Sequence, residues 1–429
     1  MSIRSAGIRD LLVHGAILLS GYPFAVIRGG YGGGVIRNRL PRVLPLLLGL
    51  GVVAGCGGTG TQTAATTSPA SSAEPTSTQA PSAPAAAAPA AAAPACGSDF
   101  LASLTPRQRL AQLLNVGVTG TADAMSVVRD EQVGGIFVGS WTDESMLANR
   151  QIPQVQAVSK VPVAVSIDEE GGRVSRVADL LGEDPAPRTV AQTMTPEQTY
   201  AMALERGRGL HDLGITVNFA PVVDVSDQPA NTVIGDRSFS GDPEVVTRYA
   251  GEYARGLRDA GVFPVIKHFP GHGSASGDSH TGAVTTPPLD QLQTHDLVPY
   301  RTLVTTGVGV MVGHLDVPGL TAPGVPASIS PAAMSLLRTG TGYGAPPFDG
   351  PIFTDDLSGM RAITDRMDIA QAVAASLEAG ADVALWLTTD EVPRVLDHLE
   401  AEVAAGRLPQ AKVDASVLRV ARAKGVVHC

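Results

Sequence analysis

The sequence predicts an α/β fold, a single TIM-like (β/α)8 barrel over residues 98–429, on three observations. Short β-branched runs alternate with amphipathic stretches of helical length, which argues a parallel sheet. Eight such runs fall within about 330 residues, the number and length of one barrel. Polar residues recur directly after the runs in six of the eight units, where a barrel carries its active site. The alternative is a doubly wound sheet. No Gly-x-Gly-x-x-Gly follows the first run, so its dinucleotide-binding version loses support.

The strands are expected at 113–118, 133–138, 162–167, 215–222, 262–267, 308–313, 351–354 and 382–387. Helical segments are expected between them, among them 195–212, 243–260, 289–306 and 366–379, with no second C-terminal domain expected. Asp168 follows the third strand and Asp224 the fourth. Lys267 and His268 end the fifth, His314 and Asp316 follow the sixth, and Asp355 and Asp356 follow the seventh. Trp386 lies near the end of the eighth. One such residue could be a loop cap. Convergence from six units favours a site at the barrel mouth.

Composition narrows the function. The 429 residues are 44% hydrophobic and 17% charged, enough apolar material for a large core. The net charge of −10 argues against a nucleic-acid binder, which would carry a basic stripe. Three cysteines exclude a disulfide-dense scaffold and a Cys-rich zinc protein.

Residues 1–55 read as an export signal. Arg37, Arg39 and Arg42 precede an apolar run at 43–53, which is too short to span a bilayer as a helix. The run ends in Val53-Ala54-Gly55-Cys56, which resembles a bacterial lipobox and implies cleavage before Cys56 and lipidation of its sulfur. The bland alternative is an ordinary signal peptide or a buried apolar segment. Several acyl chains would hold the protein on the outer face of the cytoplasmic membrane. Residues 1–34 add a second apolar patch that a signal does not need, and a translation start near Val35 would account for it. Removing residues 1–55 takes away six Arg and one Asp and leaves a net charge of −15. Residues 56–97 hold the lipidated cysteine and a Thr/Ser/Ala/Pro-rich tether that cannot bury a core. Cys96 and Cys429 bracket the barrel and are expected to pair in an exported protein; two free thiols at frayed ends are the alternative.

Four motifs carry the chemistry. The densest is Lys267-His268-Phe269-Pro270-Gly271-His272-Gly273, continuing to Asp278-Ser279-His280. His268 and His272 have the spacing of a helical zinc motif, but Pro270 and Gly271 break a helix, so no metal and no cofactor is expected. On a loop, Asp278 can orient the His280 imidazole, stabilise its cation and make it a general acid and then base. The 274–277 stretch, Ser-Ala-Ser-Gly, predicts that this loop moves. The second motif is Thr354-Asp355-Asp356-Leu357-Ser358. Successive side chains at a strand end alternate, so one carboxylate can face substrate while the other braces a loop. No Ser-His arrangement accompanies it. A carboxylate nucleophile with a separate proton donor is the logic of retaining glycoside hydrolysis. The third motif, Asp168-Glu169-Glu170-Gly171-Gly172-Arg173-Val174-Ser175-Arg176, puts carboxylates and guanidinium on a tight loop. Both groups suit sugar hydroxyls, although an internal salt bridge would use the same residues. In the fourth, Gly235-Asp236-Arg237-Ser238, Arg237 sits on a Gly-bounded loop.

Together these motifs resemble the family-3 glycoside hydrolases, in particular the NagZ-type N-acetyl-β-glucosaminidase branch, over roughly residues 100–425. The short Asp-Ser-His loop is the mark of that branch, and the lipoprotein form is similar to actinobacterial cell-envelope members. The resemblance implies a one-domain barrel and a retaining mechanism. It makes Asp355 the nucleophile, His280 the acid/base and Asp278 its partner, with Asp168, Arg176, Arg237, Lys267 and His268 binding sugar. Thr354 stands where Ser is commoner, Glu169 receives no role, and nothing directly reads the N-acetyl group. The expectation is a monomeric exo-β-N-acetylglucosaminidase acting on peptidoglycan-derived fragments. A β-glucosidase of the same family and a sugar- or muropeptide-binding lipoprotein are the alternatives.

Overall fold

The computed structural model describes residues 96–428. The expectations for the export signal, Cys56, the tether and Cys429 lie outside the described residues. Eight parallel strands form the barrel: β1 (Leu114–Gly117), β2 (Gly135–Val138), β3 (Ala164–Ile167), β4 (Val217–Asn218), β5 (Phe263–Phe269), β6 (Gly309–Val312), β7 (Ile352–Thr354) and β8 (Ala384–Trp386). They pair in the order β8-β1-β2-β3-β4-β5-β6-β7. A parallel bridge between Phe353 and Val383 closes the ring. Each expected strand is present; every one starts one or two residues later than expected, and β5 runs two residues further, to Phe269.

Two departures have local causes. The run 215–222 yields a two-residue strand, because Pro221 has no amide hydrogen to give the ladder. Pairing resumes just beyond it, where Val223 N donates to the Lys267 carbonyl at 2.7 Å. The segment 289–306 is not one helix but two, Leu289–Thr294 and Val298–Leu303. His295 leaves helical geometry (φ −133°, ψ −81°), and Pro299, four residues on, cannot donate to its carbonyl.

The outer helices start on sequence-encoded caps. Thr195 and Gln198 form a capping box before Pro196–Asp212, Asp242 caps Pro243–Asp259, and Asp368 with Gln371 opens Ile369–Ala379. Such a cap is worth about 1 kcal/mol. Inside the barrel, Phe219 lies between Phe137 and Phe353, with ring centroids 5.8 and 5.6 Å away. Among the described residues no helix is long and apolar enough to cross a membrane. Cys96 is disulfide-bonded, and its sulfur lies 3.8 Å from the His428 carbonyl.

Candidate active site

Two cavities lie at opposite ends of the barrel. The one of about 240 Å³ at the amino ends of the strands is mostly apolar, lined by Leu114, Gly135, Ala164 and Lys424 among others. The other, about 300 Å³, opens at the carboxyl ends. It gathers Asp168, Arg176, Arg237, Lys267, His268, His280, Asp355 and Asp356. Convergent polar groups single out the second as the functional site.

The floor is an ionic lattice. The Lys267 ammonium lies 2.5 Å from Asp168 Oδ1 and 2.6 Å from Glu170 Oε1. Glu170 also takes Arg237 through both oxygens, at 2.7 and 2.8 Å. Burial alone would raise the Glu170 carboxyl, but the Arg237 and Lys267 charges pull it far below the usual carboxylate range. Among the described residues no hydrogen bond reaches the second oxygen of Asp168. Arg176 lines the cleft with its Nε buried and without a partner. A loop pinned from below presents Arg176. Glu169 accepts from the Arg176 amide and the Ser175 hydroxyl, and Asn218 bonds both the amide and the carbonyl of Glu169. Gly171 (φ +89°) and Gly172 (φ +56°) make the tight turn, which side chains other than glycine rarely follow.

Lys267 and His268 both face the cleft although they are adjacent on one strand. A register irregularity between Ile266 and Phe269 re-aims the chain there, as strand bulges do. His268 gives its Nδ1 hydrogen to Asp224 Oδ2 at 2.6 Å. The other oxygen of Asp224 accepts the backbone amides of His268 and His272, at 3.2 and 2.7 Å. Burial would raise the Asp224 carboxyl, yet His268 and these donors hold it below its ordinary value. The two imidazoles sit 5.8 Å apart and tilted at 66°. Among the described residues no group of three or more His, Cys, Asp or Glu is arranged to hold a metal ion.

Asp355 and Asp356 divide their tasks as the alternation at a strand end suggests. Asp355 lines the cleft, and among the described residues its Oδ1 accepts only the neighbouring amide of Asp356, at 2.9 Å. Its burial is outweighed by His268, His314 and Lys267, so the carboxyl lies below its ordinary value and is ionised. Asp356 spends its oxygens on the amides of Ser358 and Gly359 and on the Ser358 hydroxyl, each at 2.8 Å. Ser358 Oγ in turn accepts the Leu387 amide at 3.0 Å, which ties this loop to the end of β8. Buried His314 donates from Nε2 to the Asp356 carbonyl at 2.7 Å and meets the Ser328 hydroxyl through Nδ1 at 2.6 Å. His280 stands on the rim. Its Nδ1 and its amide both meet Asp278 Oδ1, at 2.8 and 3.0 Å.

Two residues expected at the mouth are elsewhere. Trp386 is fully buried, while its neighbours Leu385 and Leu387 line the cleft, as strand alternation requires. Asp316 belongs to a separate two-stranded ladder, Val284–Thr285 with Leu315–Asp316, and faces Arg366 at 3.9 Å. The opposite omission is Glu170, the hub of the floor. Its place in the Asp168-Glu169-Glu170 run is the only sequence signal it has.

The chain is similar to known proteins in sequence and in fold. Residues 105–423 match the model of the glycosyl hydrolase family 3 N-terminal domain. The chain is 62% identical over 326 residues to the beta-hexosaminidase LpqI of Mycobacterium tuberculosis, covering 76% of this chain and 84% of that protein. A family-3 glycosyl hydrolase structure from Mycobacterium smegmatis superposes with a TM-score of 0.75 at 61% identity, over 76% of this chain and 99% of the other. A family-3 beta-N-acetylglucosaminidase from Paenibacillus gives 0.69 at 34% identity, over 75% and 62%.

Proposed function

The chain belongs to glycosyl hydrolase family 3, and on that premise we propose that it is a retaining exo-β-N-acetylhexosaminidase that releases terminal N-acetylglucosamine. One observation carries the mechanism: an ionised, nearly unencumbered Asp355 shares a cleft with His280, which is itself bonded to Asp278. Asp355 attacks the anomeric carbon, and the bond to the leaving oxygen breaks. His280 in its cationic form protonates that oxygen, and Asp278 compensates the imidazolium charge. The neutral imidazole then takes a proton from water as the water attacks the glycosyl-enzyme, releasing Asp355. Asp168, Arg176, Lys267 and His268 offer both acceptors and donors to sugar hydroxyls, and Arg237 holds the floor rigid through Glu170.

The basic stretch, apolar run and lipobox-like tetrapeptide support lipidation at Cys56 and anchoring on the outer face of the membrane. That location favours peptidoglycan-derived fragments as substrate. Mass spectrometry of membrane-extracted protein with and without Cys56→Ala tests the anchor, and an unmodified Cys56 would refute it. The activity is tested by comparing the aryl β-N-acetylglucosaminide with the aryl β-glucoside, for the full chain and for Asp355→Ala. Preference for the N-acetyl substrate, lost in the variant, is expected. Preference for glucoside would move the substrate and keep the mechanism. Turnover of neither by a folded protein would favour a sugar-binding lipoprotein.

A further inference from the structure

Trp141 stands where two open spaces meet. With Phe137, Leu387 and His280 it lines the catalytic cleft, and with Leu387 it also lines an adjoining groove of about 410 Å³. At 42% exposure it is the one exposed large apolar side chain among the described residues. A single exposed aromatic is commonplace on a surface; the way this one is held is not. Its ring rests on the backbone of Gly139, where a Cβ would come within 2.3 Å of ring carbons. The Phe137 ring supports it at 5.9 Å and 50°. Thr142 pins the loop beneath: its hydroxyl donates to the Val118 carbonyl at 2.7 Å and accepts the Gly139 amide at 3.0 Å. The Asp143 amide adds a bond to the Thr119 carbonyl at 2.9 Å. The indole is therefore fixed, with one side covered and the rest open toward both spaces. Rigid aromatics contribute contact area at little entropic cost.

The groove beyond it is rich in acceptors. Asp123 is satisfied internally by Thr119 and Thr389. Asp390 is exposed and has no hydrogen-bond or ion-pair partner among the described residues. A sugar ring has an apolar face for an indole and hydroxyls for such a carboxylate. The groove on the opposite rim, lined by Gln228, Asn231, Thr232 and Asp278, contains no benzenoid or indole ring among the described residues.

We propose that Trp141 is the stacking platform of the leaving-group subsite, so that the sugar ring expelled from the cleft lies on its indole and extends toward Asp390. This rests on the glycosidase reading above. The test uses the full chain, with N-acetyl-β-glucosaminyl fluoride, whose leaving group is one atom, and N,N′-diacetylchitobiose, whose leaving group is a sugar. In Trp141→Ala the ratio of kcat/KM for disaccharide over fluoride should fall at least tenfold. Trp141→Phe should restore most of it, and Asn231→Ala should leave the ratio unaltered. A ratio in Trp141→Ala within twofold of the parent overturns the proposal, including when both rates fall together. So does a drop in the ratio for Asn231→Ala alone. If the parent chain cleaves neither compound, the glycosidase reading itself fails, and that outcome is distinct from the others.

Discussion

Glu170 holds Arg237 through both carboxylate oxygens at 2.7 and 2.8 Å, and its side chain is fully buried. Lys267 shares the same carboxylate. Two cations and one anion that are far apart in sequence thus form one unit, on which the sugar-facing groups rest.

Removing the anion should be costly. Glu170→Gln leaves Arg237 short of a counter-charge, which typically costs about 3–5 kcal/mol. Glu170 has its folded value below the ordinary 4.5. Its contribution is therefore fully present above that value and fades as the pH falls below it. Denaturant unfolding at pH 7 and at about pH 3.5 should show a large gap between parent and variant at the first and a smaller one at the second. Equal gaps would sink the assignment.

The ionised state of Asp355 sets the acid side of the rate profile. Its folded value lies below the ordinary 3.8, with burial opposed by His268, His314 and Lys267. The attacking form is the carboxylate, present above the folded value, so the acid limb from this group should lie below 3.8. Lys267→Met removes a cation and should move that limb to higher pH. Profiles of kcat/KM for both proteins decide the point; an unmoved limb contradicts it.

His280 should matter most when the leaving group is poor. General acid–base catalysis contributes about 10²–10⁴-fold. His280→Ala should lose that much on a disaccharide and much less on a dinitrophenyl glycoside in the first step, read as the pre-steady-state burst. Asp278→Asn should lose about 10²-fold on the disaccharide, because the imidazole loses its charged partner. Equal losses on both substrates would remove His280 from the acid role.

Asp224 works through its neighbours. Its carboxylate takes three N–H donors, and an amide at the same place would turn N–H groups against N–H groups. Asp224→Asn should misplace His268 and raise the inhibition constant for N-acetylglucosamine about tenfold, which is about 1.4 kcal/mol. Unaltered product inhibition, with thermal stability retained, would count against this positioning role.

What the sequence by itself determined is local. β-Branched runs, and the polar residues after six of them, were enough to locate eight strands and most of the mouth. The division of labour between Asp355 and Asp356 followed from strand alternation, and the Asp278–His280 pair from a spacing of two residues. The tertiary structure decided what depends on partners far apart in the chain. Lys267 meets Asp168 across 99 positions and Arg237 meets Glu170 across 67, and no periodicity encodes which carboxylate a buried cation will choose. The same holds for His314 behind Asp356 and for Trp141 laid on Gly139. It also explains the placement of Asp316 on a separate ladder. Pattern tells which face of an element is buried, whereas the identity of the neighbour across that face is settled only when the barrel closes.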